Sequence, residues 1–113
     1  MNQTVKIRIN SEIKASKARE KFDIIKFFTK TNEHWSLMLN VIDTHYKGSI
    51  MTKSDLLSFL ECSYKTKNTY IKEAINNKYF VIKNNPNDKR SVIISPSNKM
   101  LSQFEKYSSF LIN

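Results

Sequence analysis

The sequence contains a single glycine, Gly48, and two prolines among its 113 residues. Phosphate-binding loops need several glycines at fixed spacing, because the backbone must approach the phosphate closely, so this chain cannot form a loop of that kind. Its apolar runs extend over only a few residues, whereas a helix that spans a bilayer needs about 20. The first residues, MNQTVKIRIN, lack an apolar segment followed by a cleavage site. We therefore expect neither a signal peptide nor a membrane partner.

Cysteine and histidine are also scarce. Cys62 is the single cysteine, so no disulfide can form within the chain, which is typical of a reducing compartment and predicts a cytoplasmic protein. The histidines, His34 and His45, have no cysteine or carboxylate at ligand spacing, and we expect no metal and no cofactor. No nucleophile is paired with a base, so the chain is not expected to be an enzyme. A redox-sensing role for Cys62, which precedes a predicted helix, stays open.

Positive charge dominates the composition. Nineteen lysines and arginines face ten aspartates and glutamates, which gives a net charge of +9. On its own, such an excess is typical of proteins that bind nucleic acid, an anionic membrane or an acidic protein. The segment 64–90 carries a net charge of +5 in under a quarter of the chain, from seven basic residues (65, 67, 72, 78, 83, 89 and 90) and two acidic ones (73 and 88). Because the excess is concentrated there, a general preference for lysine codons becomes a weaker explanation of it.

Hydrophobic periodicity predicts the order of the elements. Residues 1–11 alternate apolar and charged side chains, which indicates an N-terminal strand or extended arm, and residues 12–113 are expected to form a single domain. Helices are predicted at about 12–30 and from Thr31 or Asn32 to Gly48. After a short extended piece, the pattern predicts a third helix opened by Thr52 (about 53–61), a recognition helix at about 64–78, a hairpin at about 79–95 and a C-terminal helix at about 98–111.

Two short helices joined by a tight turn at 61–63 and followed by a hairpin are typical of a winged helix-turn-helix. The expected fold class is mainly α with a small β-hairpin wing. In that arrangement the polar, basic face of the second helix enters the major groove of double-stranded DNA. Lysines there neutralise phosphates, short polar side chains reach base edges, and helix N-termini offer N–H groups to a phosphate. The predicted DNA-binding residues of the helix pair are Thr52, Ser63, Tyr64, Lys65, Thr66, Lys67, Asn68, Thr69 and Lys72.

The stretch NPNDKRSVIISPS (85–97), after a helix that ends in AINNKYFVI, resembles the wing of the multiple-antibiotic-resistance regulator (MarR) family of winged-helix proteins. That family carries an Asp-x-Arg pair at the wing, matched here by Asp88 and Arg90, and a later Ser or Thr that caps the next helix, matched by Ser97. The resemblance covers about residues 35–104. It implies that Arg90 enters the minor groove, that Asp88 orients Arg90 or braces the turn, and that Lys89 lies near a phosphate.

The resemblance also implies a homodimer built by the N- and C-terminal helices. Phe27, Phe110 and Ile112 exceed the internal apolar stripes of those helices, which favours an interface there. The chain departs from the family pattern at Tyr79, where a glycine usually ends the recognition helix, and at Asn68, a position that is usually apolar. Because the terminal helices are short and build much of the family's effector pocket, we expect no small-molecule effector.

The function expected from these features is sequence-selective binding of double-stranded DNA by a bacterial or phage transcriptional regulator. A winged-helix protein-interaction adaptor is the first alternative, because a fold does not determine a function. An adaptor would show an exposed apolar patch beside the recognition helix. The second alternative is a phage or mobile-element protein that binds DNA without sequence preference, through phosphate contacts alone.

Overall fold

Six helices and three short strands make up the computed structural model, which describes residues 2–112. In chain order the elements are α1 (Gln3–Lys21), α2 (Asp23–Phe28), α3 (Asn32–Tyr46), β1 (Met51–Thr52), α4 (Lys53–Ser58), α5 (Tyr64–Asn76), β2 (Phe80–Asn84), β3 (Val92–Pro96) and α6 (Asn98–Ile112). The strands form one antiparallel sheet in the order β1-β3-β2, in which Ile94 of β3 lies between Met51 of β1 and Ile82 of β2. Helices α4 and α5, followed by the β2–β3 hairpin, confirm the predicted winged helix-turn-helix. No helix within residues 2–112 is long and apolar enough to cross a membrane.

The predicted strand or arm at residues 1–11 is wrong, because α1 already begins at Gln3; Met1 lies outside the described residues. The side chain of Asn2 caps this helix, accepting a hydrogen bond of 2.8 Å from the N–H of Val5. The alternation that indicated a strand covers only Val5, Ile7 and Ile9. Three apolar residues are too few to separate a period of 2 from a period of 3.6, and among the described residues the sheet consists of β1, β2 and β3, with no strand beside this segment.

The single helix predicted at 12–30 is two helices, interrupted at Phe22. This residue has an extended backbone (φ −116°, ψ 119°), and its ring packs edge-on against Tyr107 and Phe110 of α6, with ring centres 6.1 Å and 5.8 Å away. Beyond the break, the first N–H groups of α2 need an acceptor, and Gln103 Oε1 of α6 accepts the N–H of Ile24 at 3.1 Å. The change of direction allows four of the six residues of α2 to be buried.

Four aromatic rings tie α2 to the start of the wing. Phe27 and Phe28 meet edge-to-face with centres 4.7 Å apart, Tyr79 lies 5.2 Å from Phe27 and 5.5 Å from Phe28, and Phe80 lies 5.6 Å from Phe28. Phe27 is therefore part of the core, with 8% of its surface exposed, and its assignment as surplus to the domain is wrong. Of the other two surplus candidates, Phe110 is half-buried against Phe22, and Ile112 is 84% exposed.

Helix α5 ends without the glycine that usually occupies this point in the MarR family. The N–H of Tyr79 donates to Ala74 O and the N–H of Lys78 donates to Ile75 O, both at 2.9 Å, which is the Schellman arrangement. This arrangement places Lys78 in the left-handed region, with φ of 63°, where a β-carbon is strained. Gly48 ends α3 in the same way, with φ of 70°, as predicted. The tertiary contacts of Tyr79 therefore hold a strained lysine in place.

We expect Lys78→Gly to raise the free energy of unfolding by about 0.5–1 kcal/mol, because relief of the left-handed strain exceeds the added chain entropy of the unfolded state. Lys78→Ala is the matched control, since it removes the same side chain but keeps the β-carbon, and its stability should stay within about 0.3 kcal/mol of the parent. Urea unfolding at pH 7.5 measures both changes. A glycine variant that is less stable than the alanine variant would contradict the assignment.

Candidate nucleic-acid interface

Helix α4 and the turn after it hold α5 from one side. Thr52 Oγ1 caps α4 by accepting the N–H of Asp55 at 3.1 Å. The helix ends at Ser58, three residues earlier than predicted, and Leu56 and Leu60 are buried in the core. Cys62, in the turn before α5, is half-buried and packs against that core. The turn therefore has apolar anchors on its inner side.

Ser63 caps α5, as its place before the helix predicts. Its Oγ accepts the N–H of Thr66 at 3.2 Å and lies 2.9 Å from Thr66 Oγ1, to which it donates. The Ser63 hydroxyl thus has a partner for its own proton and provides an acceptor for one backbone N–H at the exposed start of the helix. The remaining N–H groups of this first turn have no intrahelical acceptor and lie beside exposed basic side chains.

One side of α5 is buried and the other carries most of the predicted residues. Ile71 and Ala74 are fully buried, whereas Tyr64 is 70% exposed. Thr66 and Lys67 are half-buried and do not line the groove that the other predicted residues of α5 form. Lys53, at the first position of α4, also lines this groove, although it is not among the residues predicted from the sequence. Its position directly after the Thr52 cap is the sequence feature that could have identified it. The shallow groove is lined by Lys53, Tyr64, Lys65, Asn68, Thr69 and Lys72.

The short polar side chains of this groove bond to their own helix. Asn68 Nδ2 donates to Tyr64 O at 3.2 Å, and Thr69 Oγ1 donates to Lys65 O at 2.9 Å. Asn68 is half-buried and its amide lies at the surface, so it does not take the inward, apolar role usual at this position of the family. Asn68 Oδ1 takes no part in these bonds, and Thr69 Oγ1, while it donates, keeps its lone pairs for an external donor. A base edge that accepts from either side chain would replace one hydrogen bond by another.

The wing tip is a network of side-chain-to-backbone hydrogen bonds. Asn85 Oδ1 accepts the N–H of Asn87 at 3.0 Å, and its Nδ2 donates to Ser91 Oγ at 2.9 Å. Asp88 Oδ1 accepts the N–H of Arg90 at 2.9 Å, and Asp88 O accepts the N–H of Ser91 at 3.2 Å. The tip is thus ordered by its own asparagine and aspartate side chains, the usual means of closing such turns.

The basic side chains of the wing are exposed and have no carboxylate partner. Lys89 and Arg90 are exposed, and Asp88 bonds to the backbone of Arg90 instead of pairing with its guanidinium. Within residues 2–112 the ion pairs are Arg8–Glu12 and Lys47–Asp43, each at 2.8 Å and each one turn of a helix apart. The positive charge of the groove and the wing is therefore available to an external anion. Across the same part of the chain, no group of three His, Cys, Asp or Glu side chains could hold a metal ion.

A second cleft lies away from this surface, between α1, α3 and α6. It is open, and Arg19, Lys30, Trp35 and Tyr107 are among its lining side chains. Burial raises the pKa of the Tyr107 hydroxyl, which Arg19 partly opposes. The expectation that no small-molecule effector binds stays a prediction.

Solved structures of transcriptional regulators share this arrangement. The chain is 19% identical to MepR in its S. aureus DNA complex, with a TM-score of 0.70 over 96% of this chain and 82% of MepR. For S. aureus MepR bound to ethidium bromide, the identity is 16% and the TM-score 0.73, over 99% and 76% of the two chains. For the transcriptional regulator Tm0710 from Thermotoga maritima, the identity is 16% and the TM-score 0.65, over 99% of this chain and 75% of Tm0710.

No protein-family model and no curated protein matches the sequence. At identities of 16–19%, the likeness shows the fold. MepR and Tm0710 are MarR-family transcriptional regulators, so the resemblance to that family is confirmed at the level of the fold.

We expect Asp88→Ala to loosen the wing tip, because the N–H of Arg90 loses its acceptor. Amide exchange of Arg90 should accelerate roughly three- to tenfold, the factor that corresponds to a net hydrogen bond of about 1 kcal/mol. Asp88→Asn is the control, since an amide oxygen closes the same turn, and it should leave the exchange rate within about twofold of the parent. Equal acceleration in both variants would show that the charge of Asp88, and not its acceptor oxygen, orders the tip.

Proposed function

We propose that this chain is a sequence-selective double-stranded DNA-binding protein that regulates transcription. In this proposal α5 lies in the major groove and the wing arginine, Arg90, lies in the minor groove. The observation that carries the proposal is the groove along α5, where three lysines and a row of short polar groups face solvent without a carboxylate partner. The shared fold with a regulator solved in complex with DNA supports it.

In the α5 groove, the lysines and the short polar side chains have different roles in the proposal. Lys53, Lys65 and Lys72 supply positive charge to DNA phosphates, which contributes affinity but no sequence information. Asn68 and Thr69 lie between these lysines and offer donors and acceptors to base edges, with the asparagine amide matched to adenine. Tyr64, the most exposed aromatic residue of α5, presents its ring to a thymine methyl group or its hydroxyl to a phosphate.

The wing adds a second contact region in the proposal. The Asp88 carboxylate accepts the backbone N–H of Arg90 and does not pair with its side chain. The Arg90 guanidinium therefore stays unpaired at the tip of the wing. A narrow minor groove over A·T base pairs concentrates negative potential and attracts such an arginine. Lys89, its neighbour, contacts a phosphate. Including Lys53, the proposed contact residues are Thr52, Lys53, Ser63, Tyr64, Lys65, Thr66, Lys67, Asn68, Thr69, Lys72, Lys89 and Arg90.

Helix α1 supports a homodimer in the same proposal. Residues 2–13 are all exposed, so the first half of α1 extends from the domain without contacts that cover it. An isolated helix of this length is marginal in water. Val5, Ile9 and Ile13 lie on the side opposite the buried Ala18 and are 42–50% exposed. A second copy would cover this row and place two α5 helices on the half-sites of a palindrome. Such a protein acts on the nucleoid, in the cytoplasm.

Exposed apolar side chains beside α5 favour one other candidate, a protein-interaction adaptor. Phe59, in the turn after α4, is 51% exposed, and Val81 and Ile82 of β2 are also exposed. If the protein does not bind DNA at physiological salt, Phe59→Ser should abolish capture of an acidic protein partner.

We expect the triple variant Lys65→Ala, Lys67→Ala, Arg90→Ala to weaken binding to a selected palindrome roughly 10- to 100-fold at 0.15 M salt. The slope of log affinity against log salt should flatten by about 0.9 for each phosphate that the variant no longer neutralises. Fluorescence anisotropy with the palindrome and with random duplex DNA measures both, and the parent should prefer the palindrome.

The matched control removes the same charge elsewhere: Lys17→Ala, Lys26→Ala, Lys106→Ala, three exposed lysines of α1, α2 and α6. It should lower affinity much less, because these charges lie outside the proposed contacts. Unchanged binding by the first triple variant would overturn the proposed surface. Equal affinity of the parent for both duplexes would favour DNA binding without sequence preference.

We expect Ile9→Asp to shift the protein from dimer to monomer, because it buries a carboxylate in the proposed apolar contact of α1. Light scattering after size-exclusion chromatography measures the mass. Asn10→Asp adds the same charge on the same turn without removing an apolar side chain, and it should remain dimeric. A parent protein that is monomeric at tens of micromolar would contradict the dimer.

A further inference from the structure

A buried histidine contacts the recognition helix from outside the helix pair. His34, in the first turn of α3, is 3% exposed. Its ring stacks on the ring of Tyr70 of α5, with centres 4.0 Å apart and planes inclined by 33°, and meets the edge of Phe27 at 5.6 Å. Helix α5 packs mainly against α4 and β2, and the His34–Tyr70 pair gives it a contact with α3. Stacked aromatic pairs contribute about 0.5–1.5 kcal/mol beyond burial of their area.

Only one nitrogen of the His34 ring has a partner within residues 2–112. Nδ1 lies 2.8 Å from Thr31 Oγ1, which also accepts the N–H of His34. Nε2 is buried and has no hydrogen-bond partner among the described residues. Either neutral tautomer leaves one polar site of Nε2 unsatisfied, which is tolerable for a neutral ring. The imidazolium form would require Nε2–H to carry part of a positive charge in the same apolar surroundings, which costs much more.

The charged groups near this ring come from three parts of the chain. Glu73 of α5 and Glu33 of α3 favour the protonated ring, whereas Lys30, before α3, opposes it. Tyr70 is the titratable side chain in direct contact. Burial outweighs these charges and lowers the pKa of His34 from its ordinary value of 6.5. The folded state therefore takes up this proton at a lower pH than the unfolded chain does.

The geometry points to His34 as a positioning residue for the recognition helix: it holds α5 through Tyr70 while neutral, and acid pH releases α5 and weakens DNA binding. This inference rests on the proposed function, because it assumes that α5 binds DNA. A protonated ring can recover hydrogen bonds only if Nε2 reaches solvent or a carboxylate such as Glu73, and either movement separates it from Tyr70. DNA, which needs α5 in its docked position, then competes with the proton.

The same linkage sets the direction of the stability change. Because the folded-state pKa lies below that of the unfolded chain, the contribution of His34 to stability is complete above about pH 6.5. It is lost as the pH falls from there towards the folded-state pKa. One linked proton limits the loss of DNA affinity to about tenfold per pH unit.

The test compares DNA affinity between pH 7.5 and pH 5.5 for the parent, His34→Phe and His45→Gln, within the range where circular dichroism shows an intact fold. His34→Phe keeps an aromatic ring on Tyr70 but cannot titrate, and His45→Gln removes the exposed histidine of α3. We expect the parent and His45→Gln to lose about three- to tenfold affinity across this range. His34→Phe should bind as well as the parent at pH 7.5 and change less than twofold on acidification.

A second measurement needs neither DNA nor a variant of His34. Amide exchange of the parent, corrected for intrinsic rates, should accelerate in α5 relative to α6 as the pH falls, while the two histidine Cε1–H resonances, assigned with His45→Gln, report protonation. If the parent binds DNA with the same pH profile as His34→Phe, the inference is wrong and the proposed function stands. If the parent does not bind DNA at pH 7.5, the proposed function is wrong. In that case, exchange in α5 that follows His34 protonation would still support the positioning role, and unchanged exchange would overturn it.

Discussion

Burial of Tyr79 and Phe80 against Phe27 and Phe28 is the interaction on which the placement of α5 and the wing depends. Tyr79 follows directly after the strained Lys78, so its burial determines where α5 stops and in which direction β2 starts. Its carbonyl also accepts the N–H of Ser97 at 2.8 Å, which connects the start of α6 to the same point. The end of α5, the start of β2 and the start of α6 thus meet α2 at this residue pair.

Polar side chains serve local geometry throughout the candidate interface. Thr52, Ser63, Asn85 and Asp88 each accept a backbone N–H at the start of a helix or in the wing turn. Because the Asp88 carboxylate bonds to the backbone of Arg90, and the ion pairs within residues 2–112 lie elsewhere, the lysines and the arginine of this surface are not neutralised by ion pairs. A surface ion pair contributes little to stability, so the lack of such pairs costs the fold little and leaves a positive surface for an anion.

The aromatic contacts also show why α5 is sensitive to its surroundings. Its apolar face is narrow, with Ile71 and Ala74 as its fully buried residues. Additional contacts therefore come from Tyr70, half-buried against His34, and from the turn at Cys62. A helix attached through few side chains can change its packing at small cost.

Patterns along the chain predicted the order of the elements from α3 onwards, the caps at Thr52, Ser63 and Ser97, and the concentration of positive charge at 64–90. For the start of α3 they left Thr31 and Asn32 open, and Thr31 is the cap. These features depend on residues close together in the chain, and local hydrogen bonding or periodicity reveals them. The wing resemblance, carried by Asp88 and Arg90, also came from one short stretch. In the candidate site, five of the nine helix-pair residues predicted from the sequence line one groove, and only the adjacent Lys53 was missed.

Tertiary contacts decided the rest. Phe22 interrupts a continuous helical pattern because α6 offers its ring a place between Tyr107 and Phe110. The burial of Phe27, the left-handed Lys78 and the stacking of His34 on Tyr70 likewise depend on residues that are distant in sequence. The helix at residues 3–11 is an exception, because its cause is local: the Asn2 cap and helical spacing outweighed a three-residue alternation. Local patterns indicate which faces of the helices and strands are apolar, but only the packing of the chain determines which other element covers each face.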